Sequence, residues 1–328
     1  MPSSTLKSDI KPRTGHCSAE ASSVNRQLPP GRGVDGRVIA DSDGSIWPAR
    51  GSSLWLLMRN PSAVAGGLIV LLMALMALLA PLLAPYEPNV VNLAERLLPP
   101  SAAHWFGTDE MGRDILSRVI YGARVSLIIG LVVIALAGGI GTLVGATAGY
   151  LGGRVDNLMM RVMDVILAFP TLVLAMALAA ALGPSLKNAI LAVSFVQIPK
   201  FARLARGDAL DIREKLYIKA ARVSGFSSPW IIAHHVIPNC LASLLVLATL
   251  TVGETILVAA SLSFIGLGAQ PPTPEWGAMI ATGRKFLLDQ WWYPTFPGLF
   301  IVITVIGYNI LGDALRDVFD PRLRGLGK

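Results

Sequence analysis

The chain has 328 residues, of which 53% are hydrophobic and 15% are charged, and its mean hydropathy is +0.58. These values leave too little polar surface for a soluble globular protein of this length and indicate a membrane protein. The net charge of +7 does not indicate nucleic-acid binding, because the Lys and Arg residues cluster in alternate loops between apolar stretches. This is the positive-inside bias of a multi-pass membrane protein with both termini in the cytoplasm.

Metal binding is not indicated by the cysteines or the histidines. Cys17 lies in a polar stretch and Cys240 at the edge of an apolar one, so the two have no metal-ligand spacing and no evident disulfide. The histidines are scattered, and the adjacent pair His234 and His235 cannot share a helical face. We therefore predict no metal site.

The chain divides into three predicted regions. Residues 1–51 are rich in Ser, Gly, Pro and charge and have no apolar signal-peptide core, so we predict a disordered cytoplasmic tail. Residues 52–103 begin with an amphipathic stretch at 52–66, predicted to lie at the membrane interface, and continue through a first span into an external loop. Residues 104–328 form the predicted core domain.

Six apolar stretches are predicted to cross the membrane as helices, which makes this an all-α membrane protein. They are residues 62–85, 126–149, 165–182, 186–204, 241–266 and 294–311. The fourth stretch contains Pro199 and Lys200, so we expect it to be kinked or to end early with its cations turned inward. Residues 152–164 are predicted to be a short internal connection.

Small residues recur in the second predicted span. Ala137, Gly141, Gly145 and Gly149 follow one another at intervals of four residues. Such residues let helix backbones approach closely in lipid, so they favour a helix interface over a ligand groove.

Two polar side chains lie inside predicted spans. Glu254 is an intramembrane acid, which indicates either a pathway or gate role or a hydrogen-bonded structural role. Gln197, close to Pro199, is a second candidate for lining a pathway. A proton-coupled secondary transporter acting through Glu254 is an alternative function, but we find no clear inverted repeats. An intramembrane enzyme would need further reactive groups, and we predict no catalytic residue.

The external stretch before the second span has a distinctive polar pattern. Thr108 or Asp109 is positioned to cap a helix whose later turns carry an apolar face, including Ile115 and Val119. This helix either orients the next span or contacts a docking protein.

A basic island, residues 217–239, separates two apolar spans. Tyr217, Ala220, Ala221 and Ser224 share a helical face in the first part of the island. Gly225 suits the left-handed residue that ends a helix. The island is either an ordinary loop or a surface that a partner protein approaches closely, and its cations favour an acidic partner.

The second half of the island predicts another short helix. Ser228 and Pro229 suit an N-cap followed by a first helical position, and Pro238 is expected to close this second helix.

This island resembles the cytoplasmic coupling loop of binding-protein-dependent ABC importer permeases, whose pattern is E-A-A, three residues, G, nine residues and I-x-L-P. The residues that fill the pattern's positions are Lys219, Ala220, Ala221, Gly225, Ile237, in the leucine position, and Pro238. Lys219 and His235 depart from it, so a contact that needs a carboxylate at residue 219 is not implied. The resemblance places an ATPase-coupling loop at 211–238.

Two further stretches resemble the dipeptide, oligopeptide and nickel branch of these permeases. One is the G-T-D-x-x-G-R-D pattern, carried by Gly107, Thr108, Asp109, Gly112, Arg113 and Asp114. The other is residues 262–277, LSFIGLGAQPPTPEWG, which include Glu275 and Trp276 and differ from the branch's pattern by Ile265 in place of a leucine. The resemblance implies external docking or gating for these residues.

The resemblance covers about residues 52–325 and implies the C-type permease of a pair, with a type I ABC importer fold, in the bacterial inner membrane. It also implies a second homologous permease subunit, two ATPase subunits and an external substrate-binding protein as partners. Since the sequence has no Walker-type phosphate-binding loop, ATP and magnesium are expected on the ATPases and no cofactor on this chain. Di- or oligopeptides are the expected cargo, with nickel, glutathione or another small molecule as alternatives.

Overall fold

The computed structural model describes residues 60–319, so the predicted tail of residues 1–51 and residues 52–59 of the predicted interfacial stretch lie outside the described residues. The described part is helical, with one isolated bridge between Thr108 and Asp114 in place of any strand. Its main helices are α1 (Pro61–Leu78), α2 (Ile115–Leu151), α3 (Gly153–Leu167), α4 (Thr171–Leu182), α5 (Leu186–Arg213), α6 (Leu216–Val223), α7 (Ser228–Ile265), α8 (Trp276–Gly283) and α9 (Trp292–Phe319).

Four described helices, α1, α2, α7 and α9, are long and apolar enough to cross a membrane. The pair α3 and α4, bent by 90° at its break, supplies a fifth span if its two halves form one crossing. Helix α5 is 28 residues long but is not among the helices that meet this criterion. The all-α membrane fold is confirmed, whereas the count of six spans stays a prediction.

Several predicted boundaries were wrong. The external helix and the second span are one helix, α2, which begins eleven residues before the predicted start at 126. The internal connection at 152–164 is helical, and Pro170 divides what was predicted as one third span, because proline cannot continue the hydrogen-bond ladder of α3. Helix α5 does not end early, since it contains Pro199 and continues to Arg213.

Pro238 does not close a short helix, as the sequence predicted. Residues Ile232–Val236 form a π-helical turn in which the Ile237 N–H donates to the Ile232 carbonyl. The wider turn accommodates the proline ring, so α7 continues through Pro238 to Ile265. The second half of the basic island, from Ser228, is therefore the first part of the spanning helix α7, whereas its first half belongs to the separate helix α6.

The small residues of α2 form a helix interface, as predicted. A Cβ atom on Gly145 would lie 2.1 Å from the Ala202 carbonyl oxygen of α5, and one on Gly141 would lie 2.6 Å from Phe201 Cβ. Hydrogen side chains at these positions let the two backbones touch, which is how helices gain packing energy in lipid. Ion pairs then join α5 to α3 on the cytoplasmic side, Arg206 with Asp156 and Arg203 with Asp164.

We predict that Gly145→Ala destabilises the protein and Gly139→Ala does not. A methyl group at residue 145 would overlap the backbone of α5, whereas a Cβ at residue 139 meets nothing within 4 Å. Overpacking of this kind costs about 1–3 kcal/mol. Thermal unfolding in detergent should show a lower transition temperature for Gly145→Ala, and equal transitions for the two variants would contradict the proposed contact.

Candidate functional site

The coupling island is built as predicted up to Gly225. Helix α6 ends at Val223, and Gly225 has a φ of +85°, the left-handed conformation that glycine adopts without strain. The Phe226 N–H donates to the Ala221 carbonyl at 3.2 Å and closes the turn. Ser227 and not the predicted Ser228 occupies the N-cap position of the next helix, without a side-chain capping hydrogen bond, and Pro229 lies in the first turn.

The island presents an apolar surface that the sequence reasoning missed. Val223 is 90% exposed and Leu216 is 84% exposed, although both are aliphatic. Phe226 stacks on Trp230 with 4.3 Å between ring centroids, and Trp230 stacks on His234 at 4.5 Å. We call these five residues the coupling surface. The signal in the sequence was the presence of large apolar residues in a basic loop between two spans.

None of the predicted coupling residues is among these five, and they divide between exposed and partly buried positions. Lys219 is exposed, and its ammonium lies 3.1 Å from Glu214, where its hydrogen bond lowers the pKa of the Glu214 carboxyl. Ala220 is exposed and Ala221 packs against the core. Ile237 and Pro238 are half-buried at the start of the long part of α7, so they support the surface from behind.

The coupling surface is attached to the ends of the spanning helices. The Arg222 guanidinium lies over the Tyr150 ring of α2, 5.2 Å from its centroid. Arg213 donates to the Gly149 carbonyl at 3.1 Å. Ile218 and Ile231 are fully buried beneath the surface. A force applied to the surface therefore reaches α2, α5 and α7 together.

The predicted external stretch folds around the buried carboxylate of Asp109, and we call this arrangement the Asp109 cluster. Asp109 is fully buried and accepts hydrogen bonds from the backbone N–H groups of Met111 and Arg113, at 2.8 Å and 2.9 Å. Its other oxygen lies 2.6 Å from Arg113 Nε and 3.5 Å from Arg118 Nε. The glycines of the motif allow this close packing, since a Cβ on Gly112 would lie 1.7 Å from the Asn92 carbonyl oxygen.

The helix cap in this stretch differs from the prediction. Asp114 and not Thr108 or Asp109 caps α2, accepting from the Ser117 N–H at 2.8 Å. Thr108 is buried and accepts a hydrogen bond from the Leu98 N–H at 2.8 Å.

The second external motif is also structural in this conformation. Glu275 caps α8 through the N–H groups of Gly277 and Ala278, at 3.0 Å and 2.8 Å. Burial raises the pKa of the Glu275 carboxyl, and these two hydrogen bonds act in the opposite direction. The Trp276 indole donates to the Val119 carbonyl at 3.0 Å and joins α8 to α2.

The side chains predicted for external docking are therefore inside the protein. The buried positions are Gly107, Thr108, Asp109, Gly112, Arg113, Asp114, Glu275 and Trp276. Direct contact between these side chains and a docking protein is not what the geometry shows. They hold the external segment and orient α2, which was the alternative interpretation of the stretch.

The two predicted pathway residues have different surroundings. Gln197 is fully buried, and neither its amide nitrogen nor its oxygen has a hydrogen-bond partner among the described residues. Glu254 is paired with Lys200, whose ammonium lies 2.6 Å from one carboxylate oxygen and 2.7 Å from the other. The pair joins α5 to α7.

Comparisons with known proteins identify the class. Residues 141–325 match the model of the family described as "Binding-protein-dependent transport system inner membrane component", and residues 52–100 match the "N-terminal TM domain of oligopeptide transport permease C". The chain belongs to this family of inner-membrane permeases, and it is a multi-pass permease component of a binding-protein-dependent importer.

Curated relatives extend over most of the chain. The "Probable D,D-dipeptide transport system permease protein DdpC" of Escherichia coli is 53% identical, over 83% of this chain and 91% of that protein. The "Dipeptide transport system permease protein DppC" of Alkalihalophilus pseudofirmus is 46% identical, over 82% and 88%. The "Glutathione transport system permease protein GsiD" of Pectobacterium atrosepticum is 43% identical, over 81% and 89%.

We predict that Asp109→Asn loosens the external segment. The change leaves Arg113 and Arg118 without their buried counter-charge, and breaking one partner of a buried ion pair costs about 3–5 kcal/mol. Limited proteolysis from the outside should cleave the variant faster. Asp289→Asn, at an exposed external acid, is the matched control, and equal cleavage of the two variants would contradict the structural role of Asp109.

Proposed function

We propose that this chain carries di- or oligopeptides across the inner membrane as one of two permeases in an importer with two ATPases and an external substrate-binding protein. ATP and magnesium bind to the ATPases in this proposal, and this chain supplies half of the pathway. Alternating access follows when closure of the ATPase pair moves the spanning helices.

The exposed coupling surface is the observation that carries the proposal. Val223, Leu216 and the aromatic stack from Phe226 to His234 expose apolar and aromatic side chains on the side predicted to be cytoplasmic. Apolar and aromatic side chains of this kind are anchors in protein interfaces. The surrounding cations, Lys219 and Arg222, favour an acidic rim on the ATPase.

In this proposal the two external motifs position helices α2 and α8 and do not themselves contact the substrate-binding protein. The Asp109 cluster fixes the start of α2, and Trp276 fixes α8 against the same helix. Any docking or gating by this region would use exposed residues next to the Asp109 cluster, such as Trp105 and Met111.

The relatives support a peptide cargo. Two are named for dipeptides and one for glutathione, which is itself a small peptide. Glutathione is the second candidate cargo for this reason. Nickel has no comparable support, since the described residues contain no group of three or more His, Cys, Asp or Glu side chains able to hold a metal ion.

Purification of the tagged chain from membranes in mild detergent tests the assembly. We expect two ATPase subunits and a second permease to co-purify. In Val223→Asp the ATPases should be lost and the second permease retained, because a carboxylate placed in an apolar interface has no partner there. Leu288→Asp, at a 97% exposed external leucine, is the control. Retention of the ATPases by Val223→Asp would count against the coupling surface.

We predict that Gly225→Val abolishes ATP-driven uptake while the protein remains in the membrane. A β-branched residue at a φ of +85° forces the turn to rearrange, and this displaces the coupling surface. Gly183→Val is a matched control, because Gly183 has a φ of +91°, also meets nothing within 4 Å and lies at the predicted external side. Equal uptake by the two variants would mean that the loop conformation at residue 225 does not matter for coupling.

A further inference from the structure

An ion pair lies at membrane depth without being buried. The side chains of Lys200 and Glu254 are 30% and 42% exposed, respectively. Glu254 lies roughly 16 Å along α7 from the outer end of that helix at Ile265, at a rise of about 1.5 Å per residue. Both groups are therefore near the middle of the span and are partly open to whatever surrounds the chain there.

Lipid is a poor environment for the exposed part of this pair. Charged side chains inside a membrane are costly unless they face a partner or a water-filled cavity. The pairing of Lys200 with Glu254 reduces this cost, but their exposed atoms still need polar surroundings. We conclude that this face of α5 and α7 borders water or another protein in the assembled transporter.

Two further polar side chains beside the pair lack partners. Gln197 lies one helical turn from Lys200, and Thr255 follows Glu254 directly. Both are fully buried, and the Gln197 amide and the Thr255 hydroxyl have no hydrogen-bond partner among the described residues. Buried polar groups without partners are uncommon and costly. Two such groups therefore lie close in sequence to the ion pair, one on α5 and one on α7.

We propose that Lys200 and Glu254 bind the charged ends of the passing peptide, an inference that rests on the peptide cargo proposed above. The Lys200 ammonium takes the terminal carboxylate, and the Glu254 carboxylate takes the terminal ammonium. When no peptide is present, the two side chains close on each other, so neither charge is left alone in the membrane. The exchange leaves the net charge of the pathway unchanged, because the peptide ends carry one charge of each sign.

The experiment compares peptides whose ends are free with peptides whose ends are blocked. The assembled transporter is reconstituted in lipid vesicles, and the binding protein is loaded to the same occupancy with a free dipeptide, its N-acetylated form or its C-terminal amide. ATP-driven uptake is measured for the unmodified chain, Lys200→Met and Glu254→Gln. The ratio of free to blocked uptake cancels any loss of folded protein.

We expect the unmodified chain to transport each blocked peptide about tenfold more slowly than the free one, as one lost charged contact predicts. Glu254→Gln should remove the disadvantage of the N-acetylated peptide alone, and Lys200→Met that of the amide alone. Arg203→Met is the matched control, because Arg203 on α5 forms another exposed pair with Asp164 on α3, at 54% and 57% exposure. Its ratios should equal those of the unmodified chain.

Three results would overturn the inference. They are equal uptake of free and blocked peptides by the unmodified chain, a uniform loss for all peptides in Lys200→Met and Glu254→Gln, and a change of ratios in Arg203→Met as large as in Lys200→Met. Failure of the proposed function looks different, since the unmodified transporter would then take up none of the peptides.

Discussion

Close contact between α2 and α5 is the constraint on which the rest of this structure depends. Gly141, Gly145 and Gly149 let the two backbones touch over two turns. In lipid there is little hydrophobic gain from bringing helices together, so contact at this distance has to supply the packing energy. It also sets the position of α5, whose Lys200 then reaches Glu254 on α7 and whose Arg206 reaches Asp156 on α3.

The charged residues on the two predicted sides of the membrane differ in burial and therefore in role. On the predicted external side, Asp109 and Arg113 are buried together and fix the external segment. The motif that the sequence suggested for docking is therefore buried inside the protein. On the side predicted to be cytoplasmic, Lys219 and Glu214 remain exposed and pair with each other. Exposed pairs of this kind add little stability, and they are available to a partner.

The coupling surface and the Lys200–Glu254 pair are connected through helix α7. The coupling surface lies at the start of α7 and is joined to α2 through Arg222 and Tyr150. The same α7 carries Glu254 about 25 Å further along the helix from Ile237, at a rise of about 1.5 Å per residue. A displacement of the coupling surface therefore acts on the helix that carries Glu254, which gives the proposed transporter a physical route from its ATPases to the proposed peptide site.

The sequence alone determined the membrane class, the all-helical fold and the helix end at Gly225 in the basic island, because apolar runs, loop cations and a glycine with φ above zero are local properties. It also indicated the helix interface at Gly145, since small residues at regular spacing have a short-range meaning. Tertiary structure decided that α7 continues through Pro238 and that Asp109 is buried. It also left Val223 exposed, stacked Trp230 on Phe226 and placed Lys200 against Glu254. These features depend on contacts between residues far apart in the chain, which no local pattern specifies.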